Sequence, residues 1–168
     1  MKRSLCLMVV AVTLTATYAV AQHESAASAE RPLWVPLSKF DEKRNPSEDL
    51  KLAVKEAGRS NRRILLDVGG EWCIWCHRLD TLFLKNADVN EFLHQNFVVV
   101  KVHYDNKKNK NETFLSRYPK IPGYPHLFVL EKNGRLLKSQ DTGELEDGKG
   151  HSREKVLAFL QEWAIKKK

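Results

Sequence analysis

The chain has 168 residues and carries 28 Lys and Arg against 21 Asp and Glu, a formal net charge of +7 at pH 7. Its basic residues are scattered, apart from Lys107, Lys108 and Lys110 and the run Lys166 to Lys168. No aromatic side chains interleave with them, so the charge reads as a solvated surface and not as a nucleic-acid groove.

Lys2 and Arg3, the apolar stretch Leu5 to Leu14 and the small-residue site Ala19-Val20-Ala21 make the three parts of a secretory signal over residues 1–21. The apolar run is shorter than the roughly 20 residues that a membrane span needs, so no stable span is expected after cleavage; a retained anchor is the alternative. Cys6 leaves with this segment. Residues 22–32, rich in Ala and Ser, read as a flexible leader, and 33–168 as one folded domain around one core. The expected location is the periplasm or the exterior of the cell.

Leu33 to Phe40 can hold a short edge strand, since Pro32 and Pro36 bar a central one. Ser47, after Pro46, reads as a helix N-cap, with Glu48 and Asp49 in the first turn, Leu50, Ala53, Val54 and Ala57 at helical spacing, and Gly58 near the end. Ile64 to Val68 is an apolar run ending at Gly69-Gly70, as a buried strand does. A helix opens near Cys73 with Leu79, Leu82 and Phe83 on one face, and Asp88 reads as the cap of another turn or two carrying Val89, Phe92 and Leu93.

Phe97 to Val102 gives the strongest strand signal. Residues 105–118 form a polar loop with a short helix, halted by Pro119 and Pro122, and include the formal glycosylation acceptor Asn111-Glu112-Thr113. Leu127 to Leu130 and Arg135 to Lys138 flank Asn133-Gly134, a two-residue hairpin signal that makes the strands antiparallel neighbours. A polar loop from Gly143 to Gly150 leads to Ser152 as N-cap of a last helix, with Val156, Phe159, Leu160 and Trp163 on one face. This order predicts an α/β domain, a mixed sheet with helices on both faces.

Only Cys73 and Cys76 remain after processing. Small exported scaffolds carry several spread cysteines, and a loop this short constrains the unfolded chain little, so a structural staple explains the pair poorly. Disulfide exchange needs a stabilised thiolate and a second thiol within reach. Gly69 to Trp72 join strand to helix and place Cys73 in the helix's first turn, where unpaired N–H groups and the dipole favour a negative sulfur. Cys73 is therefore the expected nucleophile and Cys76, one turn on, the resolving thiol.

The stretch Asp67-Val68-Gly69-Gly70-Glu71-Trp72-Cys73-Ile74-Trp75-Cys76 resembles the thioredoxin family, with Trp before the first cysteine and a carboxylate six residues before it. Lys101 to Asp105 resembles that family's central strand, and Gly123 to Leu130 its cis-proline strand; the similarity covers about residues 47 to 165. The resemblance implies a three-layer thioredoxin-like fold. It gives Asp67 the role of buried proton carrier, with Lys101 as its partner, and makes Pro125 cis and facing the cysteines. The Tyr124 backbone is then open to an extended substrate. A carboxylate in an otherwise apolar strand suits acid–base work. Trp72 and Trp75 form an apolar collar for a partner. No cofactor is expected beyond the redox-active pair. Substrates are protein or small-molecule thiols and disulfides, and an upstream protein supplies or accepts electrons.

The inner dipeptide is Ile74-Trp75 where cytoplasmic thioredoxins have Gly-Pro, so neither potential nor direction carries over. The Trp-Cys-x-Trp-Cys-His form is closer to a divergent branch, and 145–151 is an insertion before the last helix. Cys73 to His77 also matches C-x-x-C-H, a haem attachment motif. The only methionines, Met1 and Met8, lie in the signal, so a second axial ligand would fall to His94, His103, His126 or His151. A haem would also need an apolar cleft where the pattern predicts a packed sheet. Cys73, Cys76 and His77 share one helical face, yet zinc wants a fourth ligand and neither a second C-x-x-C nor an H-x-x-x-H exists, though copper(I) could manage with two sulfurs. His77 reads as a partly exposed helix residue, and no metal is expected. A metal carrier or redox-inert partner-binding module is the rival reading.

Overall fold

A computed structural model describes Trp34, residues 38–107 and residues 111–166. The signal segment and the leader lie outside these residues, as does about half of the candidate strand 33–40; its described residues, Trp34 and 38–40, are not in a strand.

Four strands, β1 (Arg63–Gly69), β2 (Phe97–His103), β3 (His126–Leu130) and β4 (Leu136–Asp141), form one mixed sheet in the order β2-β1-β3-β4. β1 pairs parallel with β2 and antiparallel with β3, which pairs antiparallel with β4. The helices are α1 (Pro46–Ser60), α2 (Ile74–Lys85), α3 (Ala87–Asn96), α4 (Glu112–Leu115) and α5 (Arg153–Trp163). Strand side chains alternate between faces, and both faces are covered, which is why β1 and β2 are apolar almost throughout. Ile64, Leu66, Val68, Val98, Val100 and Val102 pack with Ala53 and Ala57 of α1 and with Phe114. Leu65, Val99, Leu127 and Val129 pack on the other face with residues of α2, α3 and α5. The same alternation carries Asp67 and Gly69, and Lys101 and His103, to the α2 side at the strand ends, with Asp67 directly opposite Lys101. At the β2 edge, Trp34 Nε1 donates to Val99 O at 2.7 Å.

Several boundaries differ from the sequence reading. The N-cap of α1 is Asn45 and not Ser47: its side chain accepts from the Ser47 and Glu48 amides at 2.9 and 3.4 Å. Pro46, lacking an N–H and fixed in φ, takes the first helical position. The helix runs past Gly58 to a left-handed Asn61 at φ 53°. Asn86, not Asp88, starts α3, and its side chain donates back to Leu82 O at 2.8 Å, so α3 has no side-chain cap. In the hairpin, Gly134 N donates to Glu131 O and Glu131 N to Arg135 O, both at 2.8 Å. Gly134 is left-handed at φ 87° and Asn133 is not, so the turn is a three-residue loop ending in a glycine bulge and not the expected two-residue one. The segment 143–150 is ordered: a 3-10 turn (Thr142–Leu145), then β5 (Glu146–Asp147) paired antiparallel with β6 (Gly150–His151).

Loss of a side-chain N-cap costs about 1 kcal/mol. Asn45→Ala should lower stability by about that amount in urea titration, and Ser47→Ala by less than half of it. Equal losses would move the cap back to Ser47.

Candidate active site

The end of β1 turns into α2 within four residues. Cys73 N donates to Gly70 O at 3.0 Å, and Cys73 is the N-cap of α2, its Sγ accepting the Cys76 amide at 3.1 Å. Cys73 and Cys76 form a disulfide with Cα atoms 5.2 Å apart, and are 4% and 1% exposed. Gly69 makes this approach possible: a Cβ there would stand 2.5 Å from Cys76 Sγ.

Behind the pair lies a buried charge group. Lys101 Nζ donates to Asp67 Oδ2 at 2.8 Å and to Asp80 Oδ1 at 2.6 Å, while the buried Asp67 Oδ1 accepts no hydrogen bond among the described residues. Burial alone would lower the Lys101 pKa; the Asp67 and Asp80 carboxylates outweigh it and hold the ammonium above its ordinary value. Burial, then the charge of Asp67, push Asp80 up, with Lys101 opposing. The Phe40 ring lies 4.1 Å from Lys101 Nζ and packs with both cysteines, and its amide donates to Glu71 Oε1 at 2.8 Å. Asp80, Phe40, Glu71 and Gly69 were not singled out from sequence. Asp80 carried a usable signal, an acid four residues after Cys76 and therefore on the same helical face. Phe40 carried none, since its contact is made by tertiary packing alone.

The front is an aromatic rim. The Tyr124–Pro125 peptide is cis. Tyr124 stacks on Tyr104 at 4.6 Å, and Trp72 meets Tyr124 edge-on at 5.7 Å while its Nε1 donates to Tyr104 O at 2.7 Å. Burial, reinforced by Tyr104, raises the Tyr124 hydroxyl well above its ordinary pKa. Trp72 and Ile74 are 54% and 58% exposed. Trp75 is half-buried between the Arg78 guanidinium, 4.4 Å from its ring, and the edge-on His151 ring at 5.7 Å. Thr142 Oγ1 donates to Pro125 O at 2.5 Å. The inserted segment 145–151 therefore reaches the active-site rim through His151. Burial, aided by Arg78 and opposed by Asp67, lowers the His151 pKa.

His77 turns away from the sulfurs, its Nε2 donating to Glu71 O at 2.8 Å. Among the described residues no three His, Cys, Asp or Glu side chains are grouped to hold a metal ion, and no helix is long and apolar enough to cross a membrane.

Replacing Lys101 by Met would leave two carboxylates buried with no cation between them, a change that costs about 3 kcal/mol or more. A carboxylate whose folded pKa is raised, as that of Asp80 is, contributes stability that is present at low pH and lost as pH rises. The deficit of Lys101→Met in urea titrations should therefore be smallest near pH 4 and grow toward pH 7; a deficit independent of pH would show that the lysine acts by packing alone.

The comparisons with known proteins agree with this geometry. A thioredoxin-like family profile matches residues 45–132, just over half of the chain. The disulfide bond reductase DsbH of Chlamydia pneumoniae is 25% identical over 80 residues, 44% of this chain and 48% of that protein. The thiol:disulfide interchange protein DsbD of Pseudomonas fluorescens is 29% identical over 126 residues, 74% of this chain and 19% of that protein. The chain thus spans about half or less of the length of these relatives. The crystal structure of a disulphide isomerase from Xylella fastidiosa aligns with a TM-score of 0.64 at 25% identity, covering 73% of this chain and 94% of that one. With the profile match, the mixed sheet and the cysteine pair at the start of α2, the chain belongs to the thioredoxin-like family.

Proposed function

We propose that this protein exchanges disulfides through Cys73 and Cys76 outside the cytoplasm. The observation that carries the reading is the placement of Cys73 Sγ at the N-terminus of α2, accepting an amide, with a buried carboxylate–lysine–carboxylate group behind the pair. In the reduced protein the Cys73 thiolate, stabilised by that amide and the helix dipole, attacks one sulfur of a substrate disulfide. A mixed disulfide forms and the other substrate sulfur leaves as a thiolate that takes up a proton. Asp67 then accepts the Cys76 proton at Oδ1, the oxygen that Lys101 leaves free. Cys76 attacks Cys73 Sγ, the bond to the substrate breaks and the second substrate thiol departs. Two electrons have passed to the substrate, and an upstream dithiol protein returns the pair to its reduced state by the reverse exchange. Trp72 and Trp75 offer apolar contact, and the Tyr124 backbone beside cis Pro125 offers hydrogen bonds to an extended peptide.

The location rests on the signal segment, residues 1–21. The exported chain should begin at Gln22, and an intact mass that includes residues 1–21 would replace a cleaved signal by an anchor. The relatives include a reductase and an isomerase by name, so the reduction potential of the pair decides direction here.

The two cysteines should behave unequally. Cys76→Ala should accumulate covalent adducts with substrates through Cys73, visible on non-reducing gels and lost with dithiothreitol, because nothing inside releases them. Cys73→Ala should trap at least fivefold less, since Cys73 is the N-cap of α2, where a thiolate is stabilised, and Cys76 lies within the helix. Asp67→Asn should slow release from the mixed disulfide more than the first attack. Equal trapping by both mutants, or none by either alongside stoichiometric metal in the wild type, would defeat the exchange reading; the second outcome is the one a metal carrier gives.

A further inference from the structure

The inserted hairpin closes one side of a cavity that the exchange chemistry does not use. It measures about 360 Å³ and lies between the second half of α2, the start of α3 and the residues leading into α5, lined by Arg78, Thr81, Lys85, Asn86, His151 and Arg153 among others. Arg153 is neutralised by Asp88 and Glu154. Arg78 and Lys85 have no carboxylate partner among the described residues. Asn86 turns its side chain to Leu82 O, so the first amides of α3 lack a side-chain cap where they border this cavity. Both ring nitrogens of His151 are buried without a partner among the described residues. Two free cations, an uncapped helix start and an unsatisfied imidazole on one cavity favour a carboxylate.

The cavity is next to the reacting sulfur. Trp75 packs against the Cys73–Cys76 cluster and also contacts Arg78 and His151. Arg78 is five residues along α2 from Cys73, an axial distance of about 7.5 Å. An extended tripeptide spans up to about 10 Å. A short peptide thiol with its sulfur at Cys73 can therefore lay a terminal carboxylate against Arg78, whereas Lys85, about two turns further, adds to the field without direct contact.

Resting on the exchange reading above, we infer that Arg78 and His151, in the field of Lys85, form a carboxylate-binding subsite that selects small acidic peptide thiols and their disulfides as substrates. With such a disulfide the Cys73 thiolate attacks one sulfur and one peptide thiolate leaves; Cys76 then attacks Cys73 Sγ and the second peptide thiolate leaves. The dithiol loses two electrons and two protons, and two peptide thiols result.

The test uses the reduced full chain with oxidised glutathione, which carries four carboxylates, and with neutral hydroxyethyl disulfide. The readout is the ratio of the two second-order rate constants, divided by the same ratio for dithiothreitol. The wild type should favour oxidised glutathione at least tenfold on this scale. The Arg78→Gln, Lys85→Gln double variant should lose most of that preference, and raising ionic strength from about 0.05 to 0.5 M should erode it in the wild type. A normalised ratio near one, or one unmoved by both the variant and salt while hydroxyethyl disulfide still reacts, overturns the subsite and leaves exchange standing. No reaction with either disulfide overturns both.

Discussion

Lys101 holds two carboxylates in a space almost closed to water, and the site is arranged around that ammonium. It ties β2 to β1 through Asp67 and both strands to α2 through Asp80, so one cation fixes the helix that carries the cysteines against the sheet beneath it. Either carboxylate alone would leave a different charge on the group. Burial first, and then the charge of Asp67, make Asp80 hold its proton more tightly than an exposed aspartate, with Lys101 opposing both. Phe40 closes that compartment, and Glu71, one residue before Trp72, holds Phe40 by its backbone amide.

The parts of this arrangement differ in how far the sequence exposes them. Asp67, Lys101 and the cysteine pair were legible because each sits in a strand or helix start with a clear local pattern and a matching family motif. The α/β class was legible because apolar runs of strand length alternate with helical periodicity. The helix starts at Asn45 and Asn86 were each misplaced by two residues. In each case two polar residues separated by one position can cap, and the choice depends on Pro46 in one and on a back-bond to Leu82 in the other. The turn after β3 was read as the shorter loop because Asn-Gly serves both types, and backbone pairing between Glu131 and Arg135 decides between them. Phe40 and His151 were illegible as site residues: Phe40 enters from an irregular segment and His151 from the two-residue strand β6, and no local periodicity dictates the path of either.

The two tryptophans of the rim are held differently. Trp72 is more than half exposed, yet its indole N–H is fixed to the Tyr104 carbonyl and its edge meets Tyr124. Trp75 is gripped on both sides by cationic and imidazole groups. Both rings are held by these contacts, so under the exchange reading proposed above their contact area would convert to binding with little ordering cost. Long flexible side chains at the same positions would offer similar area at a larger entropic cost.

This division also bears on why the inner dipeptide is Ile74-Trp75. A large ring at position 75 needs support from outside α2, because the first turn of a helix has no preceding turn to pack against. Arg78, one turn on, supplies one face, and only a segment lying beyond the helix can supply the other. The insertion 145–151 does so with His151, which Thr142 helps to place by bonding the 3-10 turn to the Pro125 carbonyl. Trp75 and the inserted hairpin are thus two halves of one contact. Shortening the hairpin would free Trp75, and a small residue at 75 would leave the His151 ring with nothing to rest on.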